Sequence, residues 1–143
     1  MTIPSTNFET QSAEELIHWT MDQYGLKAGL ACSFGMEDMI LIDIISKLKG
    51  PITIFTLDTG RLHEETYEIM ERVRSHYGLE IKTYFPNHEQ VEKLVREKGF
   101  FSFKERIENR KECCAIRKIE PLNRALSELD AWVTGLRRDQ AVT

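Results

Sequence analysis

Ile52-Thr53-Ile54-Phe55-Thr56-Leu57, closed by Asp58-Thr59-Gly60-Arg61, is the stretch on which the fold turns. β-Branched and aromatic residues fill the first six positions, the composition of a strand, and Gly50-Pro51 punctuates the chain just before it. The polar, glycine-bearing tetrapeptide after it reads as the strand's exit loop. Beyond that loop Leu62, Thr66, Ile69 or Met70, Val73 and Tyr77 recur at three- and four-residue steps, which predicts a helix with one buried face stopping at Gly78. Residues 81–85 read as a third strand, and Asn87 caps a helix whose Val91, Leu94 and Val95 face inward, ending before Gly99. Toward the N-terminus, residues 39–48 form a mostly apolar helix, Ser33-Phe34-Gly35-Met36-Glu37-Asp38 a tight loop, and Ala28-Gly29-Leu30-Ala31-Cys32 a short buried strand. Ser12-Ala13-Glu14-Glu15 has capping-box spacing and opens an amphipathic helix that ends near Gly25.

Toward the C-terminus, Phe100, Phe101 and Phe103 look like a packing anchor, and the charged run after them leaves residues 100–112 open between helix and loop. A helix is expected to begin around Cys113 and to be interrupted near Glu120, because proline disfavours helical geometry in the residue before it. Pro121 then suits the first turn of another helix, with Leu122, Ala125, Leu126 and Leu129 on its inner face. Ala131-Trp132-Val133-Thr134 is a fourth strand, and Gly135 opens an arginine-bearing loop. Strands separated by helices imply right-handed crossovers and a parallel sheet, an α/β fold. Every strand-to-helix loop then falls on one rim. Loops 33–38, 58–61 and 135–140 are therefore expected to converge at the carboxyl ends of the strands, where open α/β sheets bind ligands.

The 143 residues, 41% hydrophobic and 29% charged, suit one globular domain over residues 1–143, without repeats or linkers. No run approaches the roughly 18 consecutive apolar residues of a membrane span. The N-terminus has neither a basic start nor an apolar run, so the expected location is cytoplasmic and no membrane partner is expected. A net charge of −4 argues against wholesale nucleic-acid binding, although the basic excess after residue 103 makes the C-terminal part the expected side for a small anion. Three cysteines, two of them adjacent, do not make a secreted disulfide framework and point instead to thiol or metal chemistry.

Several groups on that rim suit chemistry. Ser33-Phe34-Gly35 offers backbone amides and a hydroxyl to a phosphate or sulfate at a helix's positive end. It is neither a Walker loop nor the Gly-x-Gly-x-x-Gly signature, and a plain strand-to-helix turn accounts for it equally well. Asp58, Thr59, Gly60 and Arg61 suit a ribose or adenine neighbour, or else Asp58 or Thr59 merely caps the next helix. His63 is expected to face solvent. Arg137 and Arg138 beside Gly135 match oxyanions in geometry, or form a solvated surface pair. Cys113 and Cys114, read as lying near a helix start with Arg117 and Lys118 a turn later, would have their thiolates favoured by the helix dipole and the cations. Two cysteines alone close neither a zinc nor an iron–sulfur site. Cys32 reads as a small buried hydrophobe.

Taken together, Ser33-Phe34-Gly35-Met36-Glu37-Asp38, Leu57-Asp58-Thr59-Gly60-Arg61-Leu62-His63-x-Glu65-Thr66, Lys111-Glu112-Cys113-Cys114-x-Ile116-Arg117-Lys118-x-Glu120-Pro121-Leu122 and Trp132-x-Thr134-Gly135-x-Arg137-Arg138-Asp139-Gln140 resemble the assimilatory sulfonucleotide reductases. These are the adenylyl-sulfate and phosphoadenylyl-sulfate reductases, and the resemblance covers nearly the whole chain in order. It implies a Rossmann-like parallel sheet flanked by helices, of the adenine-nucleotide α-hydrolase type. It also implies reduction of the activated nucleotide to sulfite, with AMP or its 3′-phosphorylated form released. In that family a cysteine near the C-terminus attacks sulfur, and thioredoxin or glutaredoxin cleaves the resulting S-sulfocysteine. The adjacent-cysteine motif marks the branch that carries a four-iron four-sulfur cluster, which makes Cys113 and Cys114 two of its ligands and Lys118 the cation between cluster and sulfate. Ser33, Gly35, Leu57, Thr59, Gly60 and Gly135 would line the nucleotide site with Arg137 and Arg138, and adenylyl sulfate is the expected substrate over its 3′-phosphorylated relative.

The second cysteine pair, a later arginine-rich segment and the nucleophile of that family have no counterpart among these residues. The chain is accordingly expected to be the N-terminal portion of such an enzyme, truncated at the C-terminus, inactive alone and holding nucleotide weakly. A homo-oligomer is left open. Two other readings are an ATP-pyrophosphatase-type adenylating enzyme, whose Ser-Gly-Gly-x-Asp-Ser loop is not matched here, and a non-catalytic nucleotide-binding domain.

Overall fold

The computed structural model describes residues 8–137. Helix α1 (Ala13–Tyr24) starts where the capping box puts it, the Ser12 hydroxyl oxygen accepting the Glu15 N–H at 3.1 Å. Strand β1 (Ala28–Ala31), helix α2 (Met36–Leu48), strand β2 (Thr53–Leu57), helix α3 (Glu64–Tyr77), strand β3 (Lys82–Tyr84) and helix α4 (His88–Lys98) follow, the last capped by Asn87 as its sequence predicts. Helix α2 begins at Met36, three residues before the expected start. Phe34 takes a left-handed conformation, φ 63°, which turns the chain sharply enough for the helix to open at once.

The segment left open by the sequence holds a 3₁₀ turn (Ser102–Lys104) and helix α5 (Ile107–Cys114), so Cys113 and Cys114 close a helix where a helix start was expected. The cause is visible in α5 itself. It buries no residue, so no apolar periodicity announces it. Nor does the chain break near Glu120: a π turn over Ala115–Ile119 carries it into helix α6 (Glu120–Leu126), with the Glu120 N–H donating to the Ala115 carbonyl. Pro121 has no N–H to return to the Arg117 carbonyl, so the regular ladder is interrupted there without ending the helical run. Strand β4 (Ala131–Thr134) completes the described fold, and no helix among the described residues is long and apolar enough to cross a membrane.

All strand pairs are parallel and the order is β3-β2-β1-β4. Side chains alternate across the sheet. Leu30, Cys32 and Ile54 face a core shared with Ile17 and Met21 of α1, Ile42 and Ile45 of α2 and Val73 of α3. On the opposite face Phe55 packs edge-on against Tyr84, and Gly29 lets Leu129, just past α6, come close to β1. The chain steps from β1 outward to β2 and β3 and then returns to the far side of β1 as β4. The exits of β1 and β4 therefore flank the topological switch point, the crevice where such sheets take ligands.

Candidate functional site

At the switch point the loops after β1 and β4 meet around Asp38. This carboxylate is buried, and its Oδ2 accepts both the Ser33 N–H at 2.6 Å and the Ser33 hydroxyl at 2.9 Å. In this structure the Ser33 hydroxyl and amide both donate to a side chain of the chain's own helix α2, at the edge of the cleft. Gly135 lies directly against Asp38, with room for no Cβ between its Cα and the Asp38 carboxylate. Arg137 pairs with Glu37 through Nε at 3.2 Å, which ties the β4 loop to the first turn of α2. Ala31, Ser33, Gly35, Asp38, Thr134 and Gly135 line an open cleft of about 410 Å³ here. Arg138 lies outside the described residues.

A second cleft of about 300 Å³ continues from the first, sharing Ala31 and Ser33, and is more apolar. Cys32, Phe34, Phe55, Thr56, Leu57, Leu62, Thr66, Leu122 and Trp132 complete its wall. A mostly apolar slot beside a polar rim has the character of a site for a flat heterocycle joined to a charged tail. Of its lining, the sequence alone points to Leu57 and Ser33 as site residues. In sequence Leu62, Leu122 and Trp132 look like packing or strand positions, since a leucine facing an empty cleft and one facing a filled core have the same local signature.

The β2 exit loop is built from within. Asp58, also buried, accepts the Gly60 N–H at 2.8 Å and the Tyr67 hydroxyl at 2.9 Å, both at Oδ1, an Asx turn that braces the loop. The Thr59 hydroxyl oxygen accepts the Arg61 N–H at 3.1 Å, and Gly60 supplies the left-handed residue, φ 79°. Arg61 turns away from the cleft. Its Nη1 donates to the Phe100 carbonyl at 2.6 Å, and its guanidinium lies over the rings of Phe101 and Phe103. His63 is the exposed N-cap residue of α3.

Cys113 and Cys114 are half-buried free thiols at the end of α5, and Lys118 is exposed on the π turn that follows. Lying inside a continuous helical run, the pair does not sit at a helix start, and the expected dipole effect on its thiols does not apply. No three His, Cys, Asp or Glu side chains among the described residues gather as a metal-binding group. Consecutive helical residues point about 100° apart, so the two thiols suit two different irons of one cluster better than a single ion. They fit as half of a four-thiolate set. Cys32 does not extend it: it is buried in the core, and desolvation pushes its thiol up to about 12 from the ordinary 9.0.

That thiol gives stability a pH dependence. The folded chain keeps its proton above pH 9.0 while the unfolded chain loses it, so stability is full below 9.0 and falls as pH rises toward about 12. Urea denaturation from pH 8 to 11 should show this alkaline decline, and Cys32→Ala should flatten it. An unchanged slope in the variant would remove Cys32 as its source.

The family model described as phosphoadenosine phosphosulfate reductase domain matches residues 27–143. A Burkholderia cepacia protein named adenosine 5′-phosphosulfate reductase is 50% identical over 117 residues, covering 82% of this chain and 47% of that protein. One of the same name from Pseudomonas aeruginosa (strain LESB58) is 42% identical over 137 residues, covering 96% and 50%. The Arabidopsis thaliana 5′-adenylylsulfate reductase 1, chloroplastic, is 44% identical over 133 residues, covering 93% and 28%. The chain thus spans about half the length of these bacterial relatives. A crystal structure of phosphoadenylyl-sulfate (PAPS) reductase from Candida auris, a phosphate complex, superposes over 99% of this chain and 73% of that one with a TM-score of 0.78 at 24% identity, a likeness of fold.

Proposed function

Since the chain belongs to the phosphoadenosine phosphosulfate reductase domain family, we propose that it supplies the nucleotide site of an enzyme that reduces adenylyl sulfate to sulfite and AMP in sulfate assimilation. The observation that carries this reading is the paired cleft at the switch point, apolar against Leu57, Leu122 and Trp132 and polar at Ser33, Gly35 and Gly135. The adenine takes the apolar part. The ribose and phosphosulfate run along the rim past Thr59 and Gly60, with Arg137 at the β4 loop and Lys118 toward the sulfate.

The preference for adenylyl sulfate over its 3′-phosphorylated relative rests on the names of the bacterial and plant relatives. The reaction moves two electrons onto the sulfate sulfur: its bond to the AMP oxygen breaks, AMP leaves, and the dithiol of thioredoxin or glutaredoxin ends as a disulfide. Cys113 and Cys114 would provide two of four thiolates to a four-iron four-sulfur cluster, which when bound supplies a charged centre that orients the sulfate through Lys118. With Cys32 buried and the pair so engaged, no thiol of these 143 residues serves as nucleophile.

Calorimetric titration of the 143-residue chain with AMP and with adenylyl sulfate tests the reading. Both are expected to bind, and no sulfite is expected when thioredoxin and its reductase are added. Failure of AMP to bind would overturn the nucleotide site, and sulfite release would overturn the exclusion of these thiols.

A further inference from the structure

The cysteine-bearing arm, residues 99–119, is fixed to the sheet in an unusual way. Helix α5 buries no side chain, Ile107 within it is 66% exposed, and Phe100 and Phe101 before it are exposed as well. Apolar burial, the ordinary means of setting a helix's orientation, is missing here. Lys98 of α4 meets Glu112 Oε1 at 3.0 Å and donates to Asn109 Oδ1 at 3.3 Å on α5, and the 58–61 loop holds the arm by two guanidinium groups. Arg61 reaches out to the Phe100 carbonyl and the Phe101 and Phe103 rings. Arg117 reaches in from the π turn, three residues after Cys114. It is only 9% exposed, its Nη1 donates to the Thr59 carbonyl at 2.6 Å, and a Cβ on Gly60 would come within 3.2 Å of that nitrogen. Its Nε is buried with no partner among the described residues.

A buried guanidinium with one donor unused is costly where packing alone is at stake. π Turns inside helices commonly mark functional positions, and this one turns Arg117 inward while leaving Lys118 exposed. We propose that Arg117 is a positioning residue that couples the nucleotide loop to the cysteine pair through the Thr59 carbonyl, so that nucleotide in the cleft and the setting of Cys113 and Cys114 depend on each other. The coupling rests on the nucleotide-site reading above. Arg117 acts through the loop and the arm; it needs no contact with substrate.

The test uses the metal-free 143-residue chain, alkylation of its thiols by iodoacetamide and hydrogen exchange of its amides, each with and without AMP, beside calorimetric AMP binding. In the unaltered chain AMP should change the alkylation rate of Cys113 and Cys114 by about fivefold or more, the lower end of ordinary coupling between sites. AMP should also slow exchange both at residues 58–62 and across 107–119. In Arg117→Ala, AMP should still bind while the alkylation effect disappears, and Arg117→Lys, which keeps a donor for the Thr59 carbonyl, should restore part of it. A merely structural Arg117 would change thiol rates equally with and without AMP. The proposal is overturned if the AMP effect survives in Arg117→Ala, or if exchange in the unaltered chain slows at 58–62 alone, a readout that stands even if the alanine variant does not fold. Absence of AMP binding to the unaltered chain would instead bring down the nucleotide-site reading, and the coupling with it.

Discussion

Gly135→Ala is expected to abolish measurable AMP binding and to lower stability by about 2–4 kcal/mol, the range for breaking a charge-assisted hydrogen-bond pair and leaving its members buried. The added methyl group would occupy the place of the Asp38 carboxylate, which cannot yield without giving up the Ser33 N–H and hydroxyl. Because Asp38 is buried, displacement toward water would also drag the first turn of α2 with it. Gly35→Ala in the same cleft is the control. Its φ of −72° suits any residue, and a Cβ there meets nothing nearer than 3.8 Å. That variant should keep its stability within about 0.5 kcal/mol, so any loss of AMP binding in it reports close approach of the ligand to the backbone. Urea denaturation and calorimetry of the two variants check both statements, and a Gly135→Ala chain with unchanged stability and binding would show that the β1 and β4 loops do not depend on each other.

Phe55→Ala should cost about 3–5 kcal/mol, the range for truncating a fully buried aromatic side chain. Phe55 is 1% exposed at the centre of β2, meets the Tyr84 ring edge-on, lies beside Gly29 and forms the floor of the apolar cleft. Marginal stability of about 5–15 kcal/mol for a natural domain makes such a loss a large fraction of the whole. Phe100→Ala, whose side chain is 64% exposed, should stay within about 0.5 kcal/mol. Equal midpoints for the two variants in urea would contradict the placement of the core.

The elements that the sequence announced are those whose signal is local. Ser12 and Asn87 lie three residues from the amides they cap, and β2 carries its β-branched and aromatic composition within six positions. The parallel sheet and the meeting of the 33–38 and 135–137 loops followed from the alternation of elements, and the Glu37–Arg137 pair is that meeting in atomic form. Helix α5 was not legible, because a helix that buries nothing has no periodic apolar face to read. The roles of Asp38 and Asp58 were hidden for a different reason. An acidic residue that accepts from its own loop and one that awaits a ligand look alike until the backbone turns, as it does at Phe34 and Gly60. The Arg117 contact with Thr59 spans 58 positions in the chain and has no sequence signature at all.

A larger cavity of about 420 Å³ lies away from these loops, between Leu26, Lys27, Thr53, Lys82 and Glu128 at the amino ends of the strands. It gives the nucleotide a definite alternative address. Titration of isotope-labelled chain with AMP, followed by amide chemical shifts, separates the two directly. Shifts concentrated at residues 33–38, 57–62 and 134–137 are the predicted result, and shifts concentrated at 26–27, 80–82 and 128–129 would contradict the site described.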